Sequence, residues 1–415
     1  MKLGDRDSAQ DDLTLALYHK PRDAKAWLRR ATIFLESGFL DAAIAAKERA
    51  ELLDEAGRLG ARKQLPDLQR TAALSDSPVP PIVALCGSHI ANSARLGRLP
   101  QMVRSWYIQQ YAIPLRISLS FDSTYEKEVM GEVTTLLHSY PGLTVSLSDA
   151  PLSQGQHYKR LVRQLQEEGW DGRGTWLLLT DDDDIWHPRR SLAYADSQRQ
   201  LLSDPSRQIA GTVLSVCSSL YIDAAKNHSI TSAFCVDRLH RSATATCTNI
   251  TLHGPERAER GEAWCYSMRL CTLAQFFVAA EPCVVSHVFW DMCLIKFLRW
   301  GNKYKTYFIT KEQLRDNWMY FYRRDEAVGP ASRALAKSTS LPSMVRHNLE
   351  LFCATRFNPP ADTFADFVAE RTLDAKLKRK AAAMGRKMQR ELLSDADSVP
   401  NKLLHSPRCQ PSHHA

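Results

Sequence analysis

The stretch TWLLLTDDDDIWHPRR, residues 175–190, decides how the rest of the chain is read. Its apolar run Trp176–Leu179 has the length of a buried strand in a parallel sheet, bounded by the turn-rich Asp171-Gly172-Arg173-Gly174 before it and by Pro188 after it. Such a strand delivers Asp181, Asp182, Asp183 and Asp184 at its carboxyl end, the edge at which open α/β sheets bind ligands. Four adjacent carboxylates repel one another and stay ionised cheaply only in water or beside a cation. Hard oxygen donors suit Mg2+ or Mn2+, and such an ion is most useful where a phosphate must also be neutralised. A solvated acidic loop is the plain alternative, but Ile185 and Trp186 follow at once and would pin the acids against a core. Arg189 and Arg190 follow Pro188 into an expected helix and are predicted to face solvent, which leaves the acids no fixed cation.

A chain of 415 residues is too long for one ordinary core and implies about two or three units. Hydrophobic residues at 44% and charged residues at 24% describe a globular protein. The net charge of +8 comes partly from the basic stretch Lys376–Arg390, and no nucleic-acid motif accompanies it, so no nucleic-acid partner is expected. None of the ten cysteines forms a CxxC pair, and the first residues carry Lys2, Asp5, Asp7, Asp11 and Asp12 where a signal peptide would be apolar. These features predict a reduced, cytoplasmic protein, and the lack of a run of about 18 apolar residues predicts no transmembrane segment.

Residues 1–56 carry an internal repeat: Ala9 recurs as Ala43 and Ala16 as Ala50, a period of 34 residues. With Trp27, Ala31, Phe34 and Gly38 this segment resembles the tetratricopeptide repeat, in which alanines let two antiparallel helices approach and large residues fill the gaps. An ordinary two-helix hairpin is the alternative. One repeat cannot bury its own face, so it is expected to pack on the following domain, bind a protein partner, or reflect an incomplete gene start. Residues 57–80 are expected to be a linker, beginning as a short helix at most.

From residue 82 the pattern alternates strand and helix. Ile82–Gly87 is a strand leading to a loop with His89, Asn92 and Arg95; RLPQMVRSWYIQQ (98–110) is an amphipathic helix; Leu115–Phe121 is a second strand ending at Asp122. Helices are expected over 125–139, 157–168 and 190–202, and strands over 143–148 and 245–252. The apolar stretch 209–220 is one long strand or a bent pair, and helices are expected over 268–279 and 284–298. Neither a dinucleotide glycine fingerprint nor a GxxxxGK phosphate loop is present.

With these elements in order, the chain from residue 82 to about 300 resembles a GT-A-fold glycosyltransferase of the family 2-like group. The residues that carry the resemblance are the strand ending in FDS, the segment SQGQHYKRLVRQL and LLLTDDDDIWHPRR. It implies an α/β fold with a GT-A-like, doubly wound, mostly parallel sheet over 81–325; apart from the resemblance, the apolar stripe Leu373, Leu377, Ala381, Met384 and Met388 predicts a mainly helical region 326–400, and residues 401–415 are expected to be a disordered tail. The resemblance also implies transfer of a sugar, with inversion, from a UDP- or GDP-linked donor to an acceptor hydroxyl, non-processive because the QxxRW spacing is absent. The family pattern maps onto Asp183 and Asp184 as the Mn2+ or Mg2+ residues, with Asp181 nearer the ribose or metal-bound water. Asp182 falls at the variable position of that donor-binding cluster, and Asp122 at the nucleoside contact or, equally, as a helix cap. The general base maps onto Asp291, in HVFWDMCLIKFLRW, with Glu262 as rival; the residue before Asp291 is Trp290, where the family commonly has a second acid. Two other readings stay open, an inactive transferase-like scaffold and a nucleotidyltransferase or metal-dependent phosphatase.

Overall fold

The computed structural model of the chain describes residues 3–73, 80–203, 213–215, 220–223, 250–252, 266–280, 282–286, 290, 291, 294, 298, 306–308 and 320–324. At its centre lie two parallel strands, β1 (Ile82–Ile90) and β4 (Trp176–Thr180). Helices cover both faces of this pair, and strands buried on both faces read as continuous apolar runs. Alternate residues serve two cores: Ala84, Cys86 and Leu178 face one, Val83, Leu85, Leu177 and Leu179 the other. On the far side of β1, β2 (Leu115–Phe121) and β3 (Leu143–Leu147) continue the parallel order. The connections are α5 (Ser93–Tyr107), α6 (Glu126–Ser139) and α7 (Gln154–Glu167).

Beyond β4 the pairing changes sign. β9 (Tyr266–Arg269) runs antiparallel between β4 and β6 (Val213–Ser215), and β10 (Thr306–Phe308) lies parallel to β6. The resulting seven-stranded sheet, β10-β6-β9-β4-β1-β2-β3, is mixed, parallel in the half that carries the acids. A second sheet joins β5 (Ile185–Trp186), β11 (Tyr320–Arg324), β7 (Leu220–Asp223) and β8 (Ile250–Leu252) in the order β5-β11-β7-β8. The apolar stretch 209–220 therefore contributes to two strands in different sheets. Met268, read as the start of a helix, lies on β9, and the helix α9 (Leu270–Ala279) follows it. α8 (Arg190–Ser203) returns from β5, and a short α10 (Pro282–Val285) precedes Trp290. Residues 326–400, the tail 401–415 and Glu262 lie outside the described residues.

Residues 1–56 contain three helices, α1 (Leu3–His19), α2 (Ala24–Glu36) and α3 (Leu40–Leu53), and a fourth, α4 (Ala61–Ala73), follows. Ala16 lies on α1, and Ala31, Ala43, Ala46 and Ala50 are buried between α2 and α3, where small side chains permit close approach. α4 fills residues 61–73 of the stretch expected to be a linker. Trp27 is 1% exposed and sets its ring edge-on to Tyr107, 5.7 Å away, at the end of α5. The helices thus share one core with the α5 side of the sheet. Two buried arginines stitch the junction: Arg30 donates to the Ile108 carbonyl at 2.8 Å and Arg49 to that of Tyr107 at 3.2 Å. The last carbonyls of a helix have no partner within it, and cations at that end also oppose its dipole. Burial, and then Arg49, push the Arg30 guanidinium down to about 9, which leaves it charged at neutral pH.

Candidate active site

Parallel strands present their carboxyl ends at one edge, so Asp122 after β2 and Asp181 after β4 flank the end of β1. The acid turn is held from behind. The Trp186 indole N–H donates to the Thr180 hydroxyl at 2.7 Å, and its backbone N–H to Ser105 Oγ at 3.0 Å. Arg190, predicted to face solvent, is instead 1% exposed; it donates to the Leu179 carbonyl at 2.9 Å and lies 4.2 Å over the Trp186 ring. The cause is local: the turn that closes with Arg190 N–H on the His187 carbonyl at 2.9 Å swings the side chain back over the strand end.

The four acids occupy different environments. Asp182 is 1% exposed, accepts from the Ser88 hydroxyl and pairs with Arg95 at 3.3 Å. Asp183 pairs with Arg98 at 3.5 Å. Asp181 accepts from the Gln154 side-chain amide, and Asp184 is fully buried. Burial, reinforced by Asp183 and Asp182, raises the Asp181 carboxyl well above its ordinary range, with Arg95 pulling the other way and Asp291 adding to the rise. Asp182, above all, holds the Arg95 proton more firmly than usual. The expectation that no fixed cation serves the acids is therefore overturned by Arg95 and Arg98. Their three-residue spacing at the start of a helix, which puts both on one face, was the available signal.

Among the described residues no three His, Cys, Asp or Glu side chains form a metal-binding group. The donor chemistry still fits a hard cation, because an ion bridging to a diphosphate takes one or two carboxylates and completes its shell with phosphate oxygens and water. Of the two acids mapped to the metal, Asp183 has 18% of its side chain exposed, within reach of an incoming cation, whereas Asp184 is fully buried.

Asp122 is half-exposed and does not cap the short turn that follows it; it faces His89 Nε2 at 3.2 Å. Behind it a polar chain runs into the core. His89 Nδ1 lies 2.9 Å from Ser120 Oγ, Ser120 Oγ lies 3.0 Å from His157 Nε2, and His157 Nδ1 lies 2.8 Å from Ser118 Oγ. A proton arrangement that satisfies every atom is available. His89 gives its Nε2 proton to Asp122 and accepts from Ser120 at Nδ1; His157 gives its Nε2 proton to Ser120 and accepts from Ser118. Burial, with His89 and Arg160 assisting, pushes the His157 imidazole down to about 3, so it stays neutral.

Asp291 lies within electrostatic reach of Asp181. Its neighbour Trp290 is fully buried and donates its indole N–H to Gln154 Oε1 at 3.1 Å, and the same Gln154 amide serves Asp181. A residue other than glycine at 155 could not fit, since a β-carbon there would lie 2.3 Å from the Val285 carbonyl and 2.9 Å from the Trp290 ring. The structure thus brings Asp181, Asp182, Asp183 and Asp291 to one place with Asp122 across β1. Sequence reasoning missed Ser88, Arg98, Gln154 and His157 as parts of it.

No family model matches the chain, and no curated protein matches it in sequence. Among solved structures, S. aureus TarS is similar at 10% identity and a TM-score of 0.41, over 76% of this chain and 50% of its own. The chain thus spans about half the length of that structure. S. aureus TarS 1–349 in complex with UDP is similar at 9% identity and a TM-score of 0.39, over 76% of this chain and 92% of its own. The mannosyltransferase PcManGT from Pyrobaculum calidifontis, in complex with GDP-Man and Mn2+, is similar at 13% identity and 0.38, over 87% and 88%. Among the described residues no helix is long and apolar enough to cross a membrane.

Proposed function

We propose that the chain is a nucleotide-sugar-dependent glycosyltransferase with a GT-A-like sheet, acting on an acceptor hydroxyl. The observation that carries this reading is the cluster of Asp181, Asp182 and Asp183 after β4, with Asp291 in electrostatic reach and Arg95 and Arg98 beside it, while Asp122 lies further along the same edge of the sheet. A developing diphosphate leaving group needs positive charge close by, and two guanidinia on one helix face supply part of it. When bound, Mn2+ or Mg2+ would supply the rest as a Lewis acid on the diphosphate oxygens. Asp183 is the first-choice ligand, with Asp181 toward the ribose or metal-bound water and Asp184 as buried support. Asp182 orients Arg95 and so acts on the donor through it. Asp122, held by His89, accepts from the nucleoside. Asp291 takes the acceptor's proton as the new bond forms, ahead of its rival Glu262. The N-terminal helices are a tetratricopeptide-like remnant, and a protein partner would meet the side turned away from the sheet.

Titration calorimetry with UDP and GDP, with Mn2+ and then with excess chelator, tests the reading on wild type and Asp183→Ala. Metal-dependent binding by wild type alone is expected. Equal binding in all conditions would remove the metal from the scheme. An inactive scaffold is the second reading, favoured by the fact that Arg95 and Arg98 already balance the acids; it predicts no diphosphate binding by the folded wild type.

A further inference from the structure

The two arginines over the acid turn are not equivalent. The N-terminus of α5 is fixed by Asn92, whose side chain accepts the Arg95 backbone N–H at 2.9 Å, so Arg95 and Arg98 start from a set place in the helix's first turns. Arg95 is built into the fold: it donates to the His89 carbonyl at 3.3 Å, and its acid partner, Asp182, is buried and also held by Ser88. Arg98 is as buried as Arg95, with 13% of its side chain exposed against 16%, and the difference lies in the acids: Asp183 is 18% exposed and Asp182 1%. Both pairs, at 3.3 and 3.5 Å, are longer than the roughly 2.7–2.9 Å of a well-made charge-assisted hydrogen bond, and Asp183 is the acid of the two that an incoming ion can reach.

We infer that Arg98 is the resident counter-ion of Asp183 and changes partner when a diphosphate enters. The guanidinium passes to phosphate oxygens, and the Asp183 carboxylate turns to a divalent cation. This rests on the reading of the site as a nucleoside-diphosphate site and specifies the order in which that site is charged. A cation arriving alone must displace a guanidinium and remain beside it. A cation arriving with the diphosphate meets a carboxylate whose arginine has been drawn away. Metal and nucleotide therefore strengthen each other's binding by the same factor, as linkage requires. Arg98 becomes a gate against occupation by metal alone and a contact for the phosphates.

The test is Mn2+ binding, followed by the paramagnetic resonance signal of unbound Mn2+, in wild type, Arg98→Gln and Asp183→Asn, each without nucleotide and then with UDP or GDP. Circular dichroism melts check that all three are folded. Without nucleotide, Arg98→Gln should bind Mn2+ at least about tenfold more tightly than wild type, the scale that a unit charge a few ångströms from a divalent cation keeps even at the dielectric of bulk water. Diphosphate should tighten Mn2+ at least about tenfold in wild type and only about two- to threefold in Arg98→Gln, whose gate is already open. Asp183→Asn should be weak in both conditions. Equal nucleotide-free affinity in wild type and Arg98→Gln overturns the exchange, as does a lack of Mn2+ binding by all three proteins. Tighter nucleotide-free binding in Arg98→Gln, with no effect of either diphosphate on any protein, would keep Arg98 as counter-ion while defeating the donor-site reading.

Discussion

Replacing His157 with phenylalanine should make the protein less stable at neutral pH and less sensitive to acid, two effects of opposite sign from one buried ring. Its imidazole is pushed from 6.5 down to about 3 by burial, with His89 and Arg160 adding to the effect. Between these values the unfolded chain binds a proton that the folded chain does not, so stability falls as pH falls. At 1.36 kcal/mol per unit, acidification from well above pH 6.5 down to pH 4.5 costs the wild type about 2.7 kcal/mol through this residue alone. His157 is 0% exposed, so solvent screening does not reduce that figure much. Phenylalanine keeps the ring and removes both nitrogens. The buried Ser118 hydroxyl then loses its histidine partner, whereas Ser120 keeps His89 and the Leu152 N–H at 3.3 Å. One buried polar group stripped of its partner costs about 1–3 kcal/mol.

The variant should therefore be about 1–3 kcal/mol less stable at pH 7.5, with the gap closed or reversed at pH 4.5. Urea unfolding of both proteins at several pH values across this range measures it, and carboxylates that titrate alike in the two proteins cancel in the difference. A gap that stays constant from pH 7.5 to pH 4.5 would refute the assignment of His157 as a buried neutral ring.

Gly155→Ala places a β-carbon 2.3 Å from the Val285 carbonyl; a melt should show about 1–3 kcal/mol of destabilisation, and tryptophan fluorescence should report movement of Trp290. Trp27→Ala should cost about 3–5 kcal/mol and lower the midpoint of one shared transition, because Trp27 lies in the core common to the helices and the sheet; a separate early loss of helical signal would contradict this. Asp291→Asn should lower turnover far more than donor affinity, since a base acts in the transition state, and an unchanged catalytic rate would move the role to Glu262.

What could be read from the sequence followed the strength of the local signal. β4 was legible because a strand covered on both faces needs an unbroken apolar run, and Trp176–Thr180 is one. The start of α5 was placed late because the apolar periodicity begins at Leu99, while the helix begins at Ser93, where Asn92 caps it. That error concealed Arg95 and Arg98 as neighbours on a helix face. Arg190 was misplaced because helix periodicity does not report how a preceding turn aims its first side chain. The chain from Asp122 to Ser118 was invisible for another reason: β2 alternates polar Ser118 and Ser120 with apolar residues, which reads as a half-exposed strand. Both serines are fully buried, paid for by His157 from a helix 37 residues further on.

The helix α5 connects the two halves of the molecule through its charges. At its first turns Arg95 and Arg98 reach the acids that follow β4; at its last turn Arg30 and Arg49 of the N-terminal helices cover the Tyr107 and Ile108 carbonyls. The carboxylates therefore lie off the positive end of the helix dipole and the helical unit's guanidinia off its negative end, the favourable sense at both. Its axial position is fixed at the far end by cations that are themselves buried against Trp27, with Arg49 3.9 Å from the Tyr107 ring centre. Ser105, on the same helix, holds the backbone of Trp186 just past the acids, so a shift of α5 along its axis would disturb the arginines and the acid turn together. In this architecture the helices of residues 3–73 bear on the candidate site without reaching it, by setting where α5 ends.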